Sequence, residues 1–591
     1  MQAKFYLGGA AAAVALAGVG VGAKDRLADK GAPFINPIEL ARSICGDDAA
    51  GMAKRRAYFV RIASAYAQES DAEGIPGAAP ARIGDISYAI TTTNPLAQAY
   101  FDRGIAEMWN FNHGEAITSF KAAEAADPDC AMCYWAEALA YGPNINAPMA
   151  DDDVAPSYAA LRKALALRDK ANGKERALIN ALNYRYGPAP VADRSKLDNA
   201  YADAMDETAK KFADDDFIAT LAAEANMDTQ PWDYWEPDGR AGKGRTDRTM
   251  ELLDGVLARS PDHPGAIHFY IHMTEASNDP YRAAPYAEKL AALTPGLGHL
   301  IHMPSHVYYR IGRFKDSIAT NIEAVAADEQ FIAENKASVF YEYGYYTHNV
   351  HFLMTSAQMA GDGPTALAMA KKLDAKLPAD LAAVVPLGLP IKAAPYYAMA
   401  QFAGPQAILN LPDPGEPYLQ AAWRYARGEA FARLGDAENT KREADAIAAI
   451  IAATDFAPLE SLMVPATQIV TIEQKIIEAR AAAAEGDFKS AIAAMETAVA
   501  EQEALPYTEP PFWYYPAKQT LAAMVLRAGD AERAEQLFIE ALAEAPNNGW
   551  VLYGLSRSYE AQHDRNGAKF AERLFKDAWA GDRKSLTLAQ L

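Results

Sequence analysis

The chain has 591 residues, half of them hydrophobic and 23% charged, which supplies a large core and excludes a disordered protein. Asp and Glu number 77 against 56 Lys and Arg, a net charge of −21; a surface this acidic repels phosphate backbones and argues against a nucleic-acid partner. Three cysteines cannot supply a disulfide framework.

The N-terminus reads as an export signal. Lys4 carries one positive charge, and residues 5–23 form an uncharged run rich in Ala, Gly, Val and Leu. Lys24, Asp25 and Arg26 end it, and Val21, Gly22 and Ala23 supply the small residues that cleavage needs. An uncleaved anchor is the alternative, because 19 residues just span a bilayer. The five glycines in the run favour cleavage at about residue 23. No later run is long enough to span, so the sequence predicts a periplasmic or secreted protein without a membrane span after cleavage. Residues 24–90 are less regular and read as an N-terminal extension or cap.

From about residue 91 the sequence is Ala-rich and helix-periodic. A 34-residue frame beginning at Ala97 puts Tyr100, Gly104, Ala116, Phe120, Ala123 and Pro128 at the aromatic, small and proline positions of a tetratricopeptide repeat. Small residues let two antiparallel helices approach, an aromatic fills the gap, and proline starts the next turn. The frame returns with Gly486, Phe488, Ala491 and Ala498, and again with Gly529, Ala534, Phe538, Ala541 and Pro546. It blurs over residues 150–230 and 375–420, which read as degenerate helical pairs with longer loops. The expected fold is therefore all-α: a superhelical array of tetratricopeptide-like helix pairs, divided into residues 91–375 and 376–591. On its own such an array predicts a scaffold whose concave face binds a protein or peptide partner.

The histidines add to that. Ten occur in the chain, and eight fall between residues 263 and 351. In frames starting at Pro264, Gly298 and Thr347, His268 and His272 occupy repeat positions 5 and 9, with Glu275 at position 12. His299, His302 and His306 occupy positions 2, 5 and 9, and His348 and His351 positions 2 and 5. These positions form one stripe along the first helix of each repeat. That stripe is expected to line the concave groove, open on one side. Imidazoles three or four residues apart on a helix can ligate one metal, and helices about 10 Å apart bring ligands together from different repeats. A polar peptide groove and a purely structural cluster are the competing readings, but unfilled imidazoles in register would repel one another when protonated. The expected ligands are His268, His272, Glu275, His299, His302, His306, His348 and His351.

A nitrogen-dominated set favours copper, with zinc or iron as alternatives, and disfavours calcium and magnesium. Seven histidines exceed the need of one ion and suit two. Pro304 should kink the His302–His306 turn and re-aim His306. Met273 and Met303 read as core.

Weaker features follow. Cys130 and Cys133 form a Cys-x-x-Cys with no haem or thioredoxin context; a short disulfide or a packing role is favoured over a contribution to a metal. Cys45 is left over. His113 reads as a capping or packing residue and His563 as incidental. Trp109, Phe111 and the aromatic segments at 141–146, 231–235 and 510–516 serve equally as groove walls or as core. No nucleophile elbow, phosphate-binding loop or His-Glu-x-x-His motif is present, so hydrolase, kinase and nucleotide readings have no support.

From about residue 95 to its end the chain resembles a bacterial group of exported tetratricopeptide proteins. The resemblance rests on Phe111-Asn112-His113, the segment 127–133, and the segment 142–146. It continues through HPGAIH at 263–268, GHLIHMPSH at 298–306 and HNVH at 348–351. It implies the repeat fold and export, and no particular reaction. The reading is then an exported repeat protein with a His-rich transition-metal site, copper favoured, acting as a metal-dependent oxidoreductase on a small molecule or dioxygen. A scaffold for a protein or peptide, or a metal storage or delivery protein, is the alternative.

Overall fold

The computed structural model describes residues 83–591, apart from residues 85, 189–192, 237, 336, 383–386 and 585. The leader, Cys45 and all but the last few residues of the 24–90 extension lie outside the described residues. Among the described residues the fold is helical throughout, and the only strand-like feature is a single antiparallel bridge between Trp235 and Gly242. No described helix is long and apolar enough to cross a membrane.

The helix pairs form for the reasons the sequence frame supplies. Helix α1 (Pro95–Trp109) starts where the Asn94 side chain accepts from Leu96 N and Pro95 takes the first turn. It packs on α2 (His113–Ala126). Gly104 makes that approach possible: a Cβ there would lie 2.3 Å from Phe120 Cε1, and Phe120 is fully buried. The framed alanines Ala116, Ala123, Ala491, Ala498, Ala534 and Ala541 are all at 0% exposure, as a close helix pair requires. At the turns Gly486 and Gly529 adopt φ of 81° and 96°, and the following Asp487 and Asp530 cap the next helix. Helices continue through the blurred stretches, including Val154–Leu167, Gly173–Leu182, Arg194–Lys211, Asp216–Met227 and Gly388–Phe402. Pro395 inside the last of these shows why its pattern was hard to read. Cys130 and Cys133 form a disulfide at a helix start, where the Cys130 sulfur also accepts from Cys133 N.

The histidine-bearing segment runs α3 (Pro264–Glu275), α4 (Gly298–His302), α5 (Pro304–Arg310), α6 (Phe314–Glu334), a π-turn over Tyr341–Tyr345 and α7 (Tyr346–Ala360). Near the C-terminus α8 (Ala531–Glu544) and α9 (Gly549–Ala561) repeat the first device: Phe538 fills the space over Gly554, whose Cβ would sit 2.3 Å away. One apolar core runs from Ile86 to Tyr345 and a second from Phe314 to Leu591, so the histidines lie where the two meet.

The array curls back on itself. Trp550 Nε1 donates to the Gln358 carbonyl at 2.9 Å, and Ala580 N donates to the Ala360 carbonyl at 2.9 Å. This return changes the environment expected from sequence: His268, His272, His299, His302 and His306 are buried rather than exposed in an open groove.

Candidate metal centre

Each imidazole is placed by a local rule. His263 caps α3, its Nδ1 accepting from Ala266 N at 3.1 Å, and Pro264 takes the first turn. One helical face then presents His268, His272 and Glu275. The backbone breaks at Met303, between α4 and α5, where Pro304 has no N–H to give; His306 restarts with its N–H on the Met303 carbonyl at 3.2 Å. The helix is thus interrupted at the turn where Pro304 was expected to kink it. Met273 and Met303 are core, at 0% exposure.

The ligating atoms gather into three groups, each with all its atoms within 4.8 Å of one another: His268, His272 and His299; His302, His306 and His348; and Glu275, His306 and Glu509. The triads do not follow the repeats. The first takes two imidazoles from α3 and one from α4, and the second takes one each from α4, α5 and α7. They adjoin, with ring centroids 5.9 Å apart for His272 and His306 and 6.2 Å apart for His299 and His302. His351 enters neither triad; burial, with a smaller push from His348, lowers it to about 3.

In the second triad the surrounding hydrogen bonds decide the tautomers. Asn321 Nδ2 donates to the Ser317 carbonyl at 2.8 Å, so its Oδ1 can only accept, and it does so from His302 Nδ1 at 2.6 Å. That leaves His302 Nε2 without a proton. It lies 2.7 Å from His306 Nε2 and 3.0 Å from His348 Nε2. His306 Nδ1 faces Glu275 Oε2 at 2.7 Å and also contacts Glu509 Oε2. Burial keeps those acids protonated, so one of them can donate to His306 Nδ1, and the proton on His306 Nε2 then bridges to His302 Nε2 across 2.7 Å. A metal ion bound at the triad would take the place of that proton.

The first triad is walled by rings. His268 and His299 bring their Nε2 atoms to 3.1 Å. His272 Nδ1 is held by Glu275 Oε1 at 2.8 Å, and its buried Nε2 has no hydrogen-bond partner. Phe111 packs on His268, His272 and His299 with centroids 4.6, 5.9 and 5.1 Å away, and Trp232 meets His272 edge-on at 5.2 Å. Tyr345 lies 4.8 Å from His299. Phe111 and Trp232 hold φ of 55° and 64°, left-handed values that cost bulky residues of order 1 kcal/mol.

Burial dominates the electrostatics. It holds every imidazole of both triads below its ordinary range, His272 to about 3 and His348 to about 4, so all are neutral at pH 7 with lone pairs free. Burial also pushes Glu275 up to about 8 and Glu509 well up, the latter with added repulsion from Glu275.

A cavity of about 590 Å³ adjoins the second triad. Phe352 and Glu509 touch both: Phe352 lies 4.8 Å from His306, Glu509 contacts His306 Nδ1, and each side chain lines the cavity.

Seven of the eight residues expected from sequence lie in or beside the two triads; Glu509 and Asn321, which join them, were not among those expected. Asn321 faces inward from a second helix, where the stripe rule does not reach. Glu509 stands 203 residues from its partner His306, and the available signal was an acid next to the aromatic and proline segment at 510–516. Of the weaker candidates, Phe111 and Trp232 wall the first triad, and Trp232 Nε1 donates to Asn146 Oδ1 at 3.1 Å. His113 packs beside them with its Nε2 3.1 Å from Asn144 Nδ2.

A family model described as tetratricopeptide repeat matches residues 525–571, the segment that holds α8, α9 and the Phe538–Gly554 contact. That segment is a tetratricopeptide-type repeat, and the described fold is an all-α array of helix pairs of the same kind. No curated protein matches it in sequence. Among solved structures, the human IFIT1 dimer with m7Gppp-AAAA is similar at 12% identity, covering 81% of this chain and 94% of that one with a TM-score of 0.30. Yeast Tom70 follows at 14% identity, 84% and 94% coverage and a TM-score of 0.25. Naa15/Naa10 bound to HypK-THB matches at 11% identity, 81% and 70% coverage and a TM-score of 0.20. Superpositions this loose carry no argument about the present site.

Proposed function

We propose that the paired histidine triads form a two-ion transition-metal centre in an exported repeat protein, copper favoured and zinc or iron the alternatives. The observation that carries this reading is the convergence of six imidazoles into two adjoining triads, each with its ligating atoms within 4.8 Å of one another, with His302 Nε2 left bare by Asn321. The unpartnered His272 Nε2 supports it in the first triad. The donor set fits: neutral imidazoles with outer hydrogen-bond partners suit copper and zinc and do not suit calcium or magnesium. His268, His272 and His299 would hold one ion, and His302, His306 and His348 the other, with Glu275 and Glu509 orienting the rings.

Copper bound there would supply one-electron redox chemistry, and we propose a small molecule or dioxygen as the reactant. The protein's own share is definable. Asn321, Glu275 and Glu509 aim lone pairs, Phe111 and Trp232 exclude water from the first triad, and the carboxyl pair can hold or release a proton at His306 Nδ1. Elemental analysis of protein purified from its native compartment, with dioxygen consumption measured alongside, tests this. Near-stoichiometric copper, at about two ions per chain, is expected. Protein that carries no transition metal and takes none up would sink it. The repeat at 525–571 supports a second reading as a scaffold for a protein or peptide. A storage or delivery role would show instead as exchangeable copper without dioxygen consumption. Export is tested by N-terminal sequencing of the mature protein, expected to begin near residue 24.

A further inference from the structure

The cavity beside the second triad has one feature that its lining does not balance. Arg310, four residues after His306 on α5, lines it and is 8% exposed. No described carboxylate lies within ion-pair distance of its guanidinium. Its protein acceptor is the Ser277 carbonyl, from Nη2 at 3.3 Å, while Nε has no partner. The guanidinium lies over the Tyr507 ring, 5.3 Å from the centroid, and the buried Tyr507 hydroxyl is likewise unpartnered. The carboxyl that acts on it electrostatically, Glu275, stands beyond ion-pair distance. A buried cation without an ion-paired counter-ion is costly, and a natural remedy is a ligand that brings the anion.

The rest of the lining says what the anion is attached to. Tyr309, Phe352, Phe512 and Pro506 form apolar, largely flat walls. The other cation there, Lys518, is already paired with Glu503 and Glu544. One uncompensated positive charge among several glutamates suits a monoanion and repels a phosphate dianion. A planar guanidinium matches a carboxylate. We propose that this cavity binds an aromatic monocarboxylic acid, its carboxylate on Arg310 and Tyr507 and its ring against Phe352 and Tyr309, beside the second triad. The proposal gives the substrate class for the centre described above, and it rests on that reading only for what happens to the bound acid.

Binding is therefore measured apart from metal. Calorimetric titration of full-length protein uses 4-hydroxybenzoate as probe and its neutral amide, 4-hydroxybenzamide, as control, on copper-loaded and on metal-free protein. The acid is expected to bind at least about tenfold tighter than the amide, and Arg310→Gln is expected to weaken the acid about 10–100-fold without changing amide binding or copper content. Arg310→Lys, which keeps the charge, should recover part of the loss, and circular dichroism checks that each variant is folded. Equal binding of acid and amide to the wild type, or no binding of either, overturns the pocket whatever the variants do. Selective acid binding by a protein that takes up no copper would leave the pocket standing and remove the metal reading.

Discussion

The two triads are built from the same residue type by different means. The first is enclosed by Phe111, Trp232 and Tyr345, and two of these rings hold left-handed backbones. The second is tied by Asn321, Glu275 and Glu509 and meets a cavity through Phe352. Rings exclude water and offer no route in; polar supports fix tautomers and leave one side free. On the proposed metal reading, the first triad would be a closed site and the second the one placed to meet a reactant.

The largest expected effect tests whether there are two sites at all. His302→Asn with His306→Asn should lower copper from about two ions per chain to about one and keep the helical circular dichroism, since helix pairing rests on contacts such as Phe120 over Gly104. His268→Asn with His272→Asn should remove the other ion only. If either pair empties both triads, the centre is a single unit and the comparison fails. Asn321→Leu is subtler: it keeps the volume but releases the His302 tautomer. It should weaken the second site about 10–100-fold and leave the first unchanged.

Proton linkage in metal-free protein follows. Buried imidazoles held at about 3 to 4 stay neutral while the unfolded chain protonates below its ordinary value near 6.5, so stability falls as pH drops from 6.5. The acids act oppositely. Glu275, raised to about 8, keeps a proton that the unfolded chain has lost above about 4.5, so stability also falls as pH rises toward 8. Within the cluster the histidines dominate below 6.5 and only its acids contribute above, each uncompensated proton giving a slope of about 1.4 kcal/mol per pH unit. Other acids raised by burial, such as Glu124 and Glu473, add to the alkaline loss. Glu275→Gln with Glu509→Gln should lessen the alkaline loss in denaturant titrations and steepen the fall from pH 6.5 to 4.5. The smallest effect is expected from His351→Gln, which should leave copper content unchanged within error; loss of an ion there would redraw the second triad.

The fold was legible because its rules are local. The spacing from Gly104 to Phe120, and the Gly-Asp turns at 486–487 and 529–530, are read within one helix pair. Most of the site was legible for the same reason, since a stripe at three- and four-residue spacing stays within one helix. His351 shows the limit: it keeps the spacing, yet its ring enters neither triad. Glu509 and the burial of the whole cluster depend on how far the array curls, which accumulates over many small inter-repeat rotations and leaves no mark at any one position.

The 203-residue separation between His306 and Glu509 has a kinetic consequence. A contact between residues so far apart in the chain is made late, after the helix pairs between them have formed and stacked. An ion bound before that contact forms would be held by imidazoles alone and could exchange. One bound after the 505–516 segment has settled beside α5 would exchange more slowly, through the side left free. Its residence time would then reflect that distant contact as well as the strength of its bonds to nitrogen, and the chain would act as a latch whose catch is its own late-folding half.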